Sequence, residues 1–185
     1  MELLKDFKIK KYLDKKPPSD NSTTTKGEIT ALTKIPIREK FIKEKDDVKK
    51  SFGKIVKEDE LVQRLINASA PIIMKIKKHH NRPRPKLMDI ELAQARVIAK
   101  KLNTKMEDME MASMKTPSYP SGHSAQGYLI GMALANKYPQ KRDKLMKTAR
   151  DISYSRRVAR AHYLSDSRFG EEIGKDMYNH IKNKI

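Results

Sequence analysis

Apolar residues recur every three or four positions through the long segments of this chain, and no segment alternates apolar and polar residues for the length of a strand. The clearest run has apolar residues at four-residue intervals, at Phe169, Ile173, Met177 and Ile181. Such spacing puts apolar side chains on one face of a helix, where they can pack against other helices. The sequence therefore predicts an all-α fold, a bundle of helices.

Prolines and capping residues divide this pattern into separate helices. We expect short helices broken near Pro36, and then a long helix that starts at Asp59 and kinks at Pro71. Pro83 and Pro85 should end that helix, because each restricts the residue before it. Later helices are predicted over residues 89–102, from about Ser121, over residues 139–158 and through the C-terminal apolar run.

The N-terminal part has a different composition. Residues 17–27 hold two prolines, a glycine and small polar residues without an apolar face, which is typical of a flexible linker. The Lys-rich segment before them is predicted to be a flexible tail rather than a short amphipathic arm. A chain of 185 residues suits one domain. We therefore divide it into a flexible basic arm and linker, residues 1–27, and a single helical domain, residues 28–185.

Composition excludes several classes of protein. The absence of cysteine rules out disulfide scaffolds, thiolate metal sites and cysteine nucleophiles. Lys and Arg outnumber Asp and Glu by 41 to 23, and the net charge of +18 favours contact with phosphates, nucleic acid or an anionic surface. No stretch is long and apolar enough to span a membrane, and residues 1–16 lack the apolar core of a secretory signal. We therefore expect a soluble, cytoplasmic protein.

Three clusters hold the residues suited to chemistry, and four of the five histidines lie in them. The first cluster, residues 77–85, offers lysines and arginines in a turn stiffened by two prolines, which suits the binding of phosphate oxygens. It is equally typical of a basic helix C-terminus. In the second cluster, Ser121 can cap a helix and Gly122 lets the backbone approach an anion beside His123. A serine-capped helix with a solvated histidine explains the same residues.

The third cluster places His162 four residues before Asp166. On a helix, the carboxylate can accept a hydrogen bond from one imidazole nitrogen and leave the other nitrogen nucleophilic. Arg156 lies six residues before His162 and can reach the same pocket from the end of the preceding helix. A surface helix with solvated arginines explains this cluster as well.

Taken together and in order, the clusters read Lys-x6-Arg-Pro, Pro-Ser-Gly-His and Ser-Arg-x5-His-x3-Asp. This pattern resembles the phosphatidic acid phosphatase type 2 superfamily, and residues 118–120 and 138–140 look most like its soluble bacterial class A acid phosphatases. The resemblance covers the chain from about Asp59 to the C-terminus. It implies the helical bundle that these phosphatases share with vanadium haloperoxidases, and a metal-independent hydrolysis of phosphomonoesters through a phosphohistidine.

The resemblance also implies a role for each site residue. His162 is similar to the family's nucleophile, Asp166 to the residue that orients it, and His123 to the general acid that protonates the leaving alcohol. Other residues would hold the phosphoryl oxygens: Lys77, Arg84, Ser121, Gly122 and Arg156. No cofactor or metal is implied, and vanadate is expected to inhibit.

The first motif fits the sequence in two registers. Lys75 with Arg82 and Lys77 with Arg84 both satisfy it. We choose Lys77 and Arg84, because class A relatives tend to carry another arginine two residues before the Arg-Pro pair. Arg82 then becomes a supporting charge.

Other functions remain as alternatives. A vanadium-dependent haloperoxidase would use the same residues, although those enzymes are larger. A basic protein that binds phosphate or nucleic acid without turnover would explain the charge, but the chain has no Trp and few aromatic residues for stacking bases. We expect a small phosphorylated substrate, selected by residues 88–120, and weak binding to polyanions; a homodimer is left open.

Overall fold

The computed structural model describes residues 3–85 and 115–185. Every regular element in these ranges is a helix, which confirms the predicted all-α class. The α-helices in chain order are α1 (Lys10–Asp14), α2 (Thr23–Thr33), α3 (Glu39–Asp46), α4 (Val48–Gly53), α5 (Asp59–His80), α6 (Gly122–Lys137), α7 (Arg142–Val158) and α8 (Leu164–Ile181), with a 3₁₀ turn (Pro139–Lys141) before α7. The helix predicted over residues 89–102 lies outside the described residues, as does most of the segment 88–120.

Helix α6 lies at the centre of the bundle and packs against α5, α7 and α8. Ser121 caps it as predicted, because the serine hydroxyl oxygen accepts a hydrogen bond from Ser124 N at 3.3 Å. The helix is apolar on several sides, and Leu129, Ile130 and Leu134 are fully buried. A helix enclosed by other helices needs this composition.

Two glycines bring α8 unusually close to α6. A Cβ atom at Gly170 would lie 2.3 Å from Ser121 O, and one at Gly174 would lie 2.3 Å from Ala125 O. Only glycine permits this approach. The first turns of the two helices therefore lie side by side, and Ser121 N donates a hydrogen bond to Asp166 O at 3.0 Å.

Helix α5 begins at Asp59, as predicted, and continues through Pro71 to His80. Asn81 then takes a left-handed conformation, with φ of 47°, which ends the helix. Arg82 and Arg84 consequently lie beyond the helix, on non-helical backbone. The predicted break near Pro36 is also present, because α2 ends before that residue and α3 begins after it.

The N-terminal residues differ from the predicted tail and linker. Ser22 caps α2, so residues 23–27 are helical, and the division between residues 27 and 28 falls inside that helix. Leu4 and Tyr12 are buried in the main core. The Tyr12 hydroxyl donates a hydrogen bond to Asp176 of α8 at 2.7 Å. The few apolar side chains of this arm are thus enough to pack it against the bundle.

None of the helices in the described ranges combines the length and the apolar character that crossing a bilayer requires.

Candidate active site

Residues of all three sequence clusters meet around the first turns of α6 and α8. They come from the end of α5, the residues after it, the starts of α6 and α8, and the last turn of α7: Lys77, Arg84, Ser121, Gly122, His123, Arg156, His162 and Asp166. Most of these side chains are buried, although they are polar or charged. The fold therefore gathers three distant segments into one polar site.

His162 and Asp166 form a buried pair at the start of α8. The carboxylate Oδ2 of Asp166 accepts a hydrogen bond from Tyr163 N at 3.0 Å, which fixes it in the first turn of the helix. The same oxygen lies 3.3 Å from His162 Nδ1. The other ring nitrogen, Nε2, lies 3.1 Å from Arg84 Nη1. The predicted pairing is therefore present, but it forms across the start of α8, because His162 lies two residues before the helix begins.

Behind Asp166, a network of buried polar residues reaches α2. Arg82 Nη1 donates a hydrogen bond to Asp166 Oδ1 at 2.7 Å, and the guanidinium lies 3.8 Å from the centre of the Tyr163 ring. Glu28 of α2 accepts hydrogen bonds from Ser165 N at 2.6 Å and Ser165 Oγ at 2.9 Å, and its Oε2 lies 3.4 Å from Arg82 Nη2. Sequence reasoning missed Glu28, because no motif marks the N-terminal third.

Three buried cations lie close to the pair formed by His162 and Asp166. Lys77 Nζ donates a hydrogen bond to Pro117 O, and Arg84 Nε donates one to Thr116 O at 2.8 Å. Burial and the charge of Arg84 lower the pKa of Lys77 to about 7, and burial with the charge of Arg156 lowers the pKa of Arg84 to about 10. Burial also lowers the pKa of Arg156. Cations crowded in this way favour an anionic ligand.

Within residues 3–85 and 115–185, no three His, Asp or Glu side chains form a group that could hold a metal ion.

The two residue pairs that fit the first motif lie in different environments. Lys75 is exposed on α5, whereas Lys77 is buried beside the site. Arg82 is directed to Asp166, whereas Arg84 reaches His162 Nε2. The structure thus places Lys77 and Arg84 in the buried site, with Arg84 next to His162, and places Arg82 against Asp166.

The start of α6 adjoins this cationic group. The Ser121 hydroxyl oxygen accepts a hydrogen bond from Ser124 Oγ at 2.8 Å, while the Ser121 amide is bonded to Asp166 O. A Cβ atom at Gly122 would lie 3.8 Å from Lys77 Cε, so the helix start lies against the lysine side chain. A ligand held by Lys77 would therefore lie near the positive end of the α6 dipole.

Asp46, the last residue of α3, closes the site on the side of His123. His123 Nε2 lies 2.9 Å from the backbone oxygen of Asp46 and 3.5 Å from its carboxylate Oδ1. The same carboxylate oxygen accepts a hydrogen bond from Arg156 Nη1 at 2.7 Å. Nothing in the sequence singled out Asp46, which is one of many acidic residues between lysines.

Burial and positive charge control the protonation of both histidines. Burial and the charge of Arg156 lower the pKa of His123 to about 3. Burial, with the charges of Lys77 and Arg84, holds the pKa of His162 well below its usual value. His162 is therefore a neutral imidazole, the form that has a lone pair for attack. A bound dianion would offset the cations and raise the pKa of both rings.

The predicted residues of this site lie within the range that a model of a known protein family matches. The model of the PAP2 superfamily matches residues 62–174. That range includes the three clusters and leaves α1 to α4 outside.

Two curated proteins are similar to a shorter part of the chain. A non-specific acid phosphatase of Salmonella typhimurium is 35% identical over 60 residues, which are 32% of this chain and 24% of that protein. A non-specific acid phosphatase of Providencia stuartii is 36% identical over 64 residues, which are 35% of this chain and 25% of that protein. The matched segments thus span about a quarter of these relatives.

Proposed function

The chain belongs to the PAP2 superfamily, and on that basis we propose that it is a phosphatase that hydrolyses phosphomonoesters through a phosphohistidine formed on His162. The observation that carries this proposal is the buried pair in which Asp166 Oδ2 lies 3.3 Å from His162 Nδ1. A carboxylate in that position orients the ring and leaves Nε2 to act as the nucleophile. The names of the two similar acid phosphatases support a phosphate ester as the substrate class.

In this mechanism, Lys77, Arg84 and Arg156 bind the phosphoryl oxygens beside the start of α6. The transition state of phosphoryl transfer spreads negative charge over three equatorial oxygens. Fixed cations and helix amides stabilise that charge without rearranging. The reaction therefore needs no metal ion.

The first step forms a bond between His162 Nε2 and phosphorus and breaks the bond between phosphorus and the ester oxygen. His123 gives its proton to the departing oxygen, so the alcohol leaves neutral. His123 has to be protonated for this step, although its pKa without substrate is about 3. The charge of the bound phosphoryl group offsets Arg156 and raises that pKa.

The second step returns the site to its first state. His123, now neutral, takes a proton from a water molecule as the water oxygen attacks phosphorus. The bond between phosphorus and Nε2 breaks, phosphate leaves, and His162 becomes a neutral imidazole again.

The test is a trap for the intermediate in the wild type and in His162→Ala. Quenching at alkaline pH should preserve an acid-labile phosphate on His162, detected by mass spectrometry of the peptide, and excess EDTA should not reduce turnover. His162→Ala should lose both turnover and label, since the nucleophile supplies the chemistry. His180→Ala, which changes a histidine near the end of α8, is the matched control.

Two results would contradict the proposal. Full activity in His162→Ala would exclude the phosphohistidine, and loss of activity in EDTA would exclude the metal-independent route. Vanadate should inhibit, because it mimics the five-coordinate transition state. If protein loaded with vanadate oxidises bromide with peroxide faster than it hydrolyses esters, the haloperoxidase alternative replaces the phosphatase.

A further inference from the structure

Asp46 brings an acidic group to the side of the site where His123 lies. Its carboxylate Oδ1 accepts a hydrogen bond from Arg156 Nη1 at 2.7 Å and lies 3.5 Å from His123 Nε2. The side chain of Asp46 is 40% exposed, whereas that of Arg156 is fully buried. The carboxylate therefore lies between the site and the solvent.

The leaving group of the proposed reaction must come close to this carboxylate. A general acid passes its proton along a hydrogen bond of about 3 Å, so the ester oxygen has to lie next to the His123 ring. Nε2 is the ring nitrogen that faces Asp46, so a leaving oxygen that receives the Nε2 proton takes a place next to the carboxylate. The alcohol part of the substrate then lies beside Asp46.

We propose that Asp46 determines which leaving groups the site accepts: it favours phosphomonoesters of neutral or cationic alcohols over those whose alcohol is negatively charged close to the ester oxygen. This inference rests on the proposed function. A carboxylate repels a second anion at short range, and a partly buried site strengthens that repulsion. The net charge of +18 attracts all phosphate esters, so discrimination between them requires a local charge.

Substrate binding increases the effect of Asp46. Arg156 Nη1 is hydrogen-bonded to Asp46, and the same guanidinium is proposed to bind a phosphoryl oxygen. When Arg156 shares its charge with the phosphoryl group, the Asp46 carboxylate is less neutralised. Its negative charge then acts more strongly on the leaving group.

The test compares two small esters that differ by one charge, hydroxyethyl phosphate and phosphoglycolate, in the wild type, Asp46→Asn and Glu44→Gln. The wild type should prefer hydroxyethyl phosphate. Asp46→Asn should raise kcat/KM for phosphoglycolate relative to hydroxyethyl phosphate by on the order of five- to tenfold, because one nearby repulsive charge is gone. Glu44→Gln removes the same charge from the exposed surface of α3 and should leave the ratio within about twofold.

Inorganic phosphate provides a second readout that needs no turnover. Its fourth oxygen takes the place of the leaving group and carries negative charge, so calorimetry should show tighter phosphate binding in Asp46→Asn and Asp46→Ala. The protein could hydrolyse no ester and still bind phosphate more tightly in the Asp46 variants. That result would contradict the proposed function, but it would support the repulsion between Asp46 and a bound anion. A wild type that hydrolyses both esters equally well, or a phosphate affinity unchanged in both folded variants, would overturn the inference.

Discussion

Arg82 and Arg84 are two residues apart but contact different partners. Replacing each of them by alanine should therefore have a different effect. Arg84→Ala removes a cation beside His162 Nε2 and should lower kcat/KM by on the order of a hundredfold or more. Arg82→Ala leaves the carboxylates of Asp166 and Glu28 without their guanidinium partner. Such a loss should lower the free energy of unfolding by about 3–5 kcal/mol, measured by urea denaturation.

The double variant of Arg82→Ala with Glu28→Gln tests the origin of that loss. If it comes from the unpaired carboxylates, the two changes together should cost less than the sum of the single changes. A loss below about 1 kcal/mol in Arg82→Ala would contradict the contact between Arg82 and Asp166.

Lys77 should make the binding of anions weaken above neutral pH. Burial and the charge of Arg84 lower its pKa to about 7, so the positive charge is present below pH 7 and is lost as the pH rises through that value. Sulfate is a suitable probe, because its own charge does not change in this range. Its Kd should rise roughly tenfold between pH 5.5 and pH 8.5, measured by calorimetry.

Two variants distinguish the loss of the Lys77 charge from the titration of other groups in the protein. Lys77→Arg keeps the charge at high pH and should flatten the dependence. Lys75→Met removes an exposed lysine one half-turn away and should leave it unchanged. A flat profile in the wild type would show that Lys77 does not bind the anion.

Sequence reasoning singled out the candidate site residues because three short motifs occur together and in order, although each motif alone is explained by an ordinary helix end or surface. The sequence also predicts the pairing of His162 with Asp166, although His162 lies just before α8 and the contact forms across the start of that helix. Glu28 and Asp46 were not found, since their partners lie 137 and 110 positions away and nothing local marks them. A contact of that range is decided by the packing of the whole bundle.

At the scale of the helices, Gly170 determines how closely α8 approaches α6. Gly170→Ala would put a Cβ atom 2.3 Å from Ser121 O and 3.2 Å from Ala125 N, which are backbone atoms that cannot turn away. The helices must separate, so we expect a loss of about 1–3 kcal/mol in the free energy of unfolding. Activity should fall as well, because Asp166 lies on the same helix. Urea denaturation and kinetics measure the two effects.

Gly27→Ala is the matched control for a helical glycine. A Cβ atom there would meet nothing within 4 Å, and the residue lies inside α2. Alanine should therefore stabilise the protein by up to about 1 kcal/mol. If both variants were equally destabilised, close packing at Gly170 would not be the cause.

Helices were predictable where an apolar period coincides with a start or stop signal. Asp59 and Ser121 are such signals, and α5 and α6 begin beside them, whereas α5 ends at His80, before Pro83, because Asn81 takes a left-handed conformation. Residues 23–27 show no apolar face, yet Ser22 caps a helix there by accepting a hydrogen bond from Thr25 N at 3.1 Å. The packing of α2 against the rest of the molecule could not be read from its composition.

At the scale of the whole molecule, the net charge of +18 should speed the encounter with anionic substrates. We expect kcat/KM for a phosphate ester to fall several-fold between about 20 mM and 500 mM sodium chloride, because salt screens the long-range field. The value of kcat should change little, since the buried contacts of the bound ester are screened less. A kcat/KM that is independent of salt would show that the surface charge does not guide the substrate.

The contacts between the first helices and the last one set an order of events during synthesis. Tyr12 is bonded to Asp176, 164 positions later, and Glu28 to Ser165, 137 positions later. A ribosome completes α1 and α2 long before their partners exist, and closing such long loops is slow compared with forming a helix. A nascent chain without α8 lacks Asp166, the partner of His162, and Ser165, the partner of Glu28 in α2. The proposed hydrolysis of phosphate esters should therefore begin only once α8 has been made and has docked.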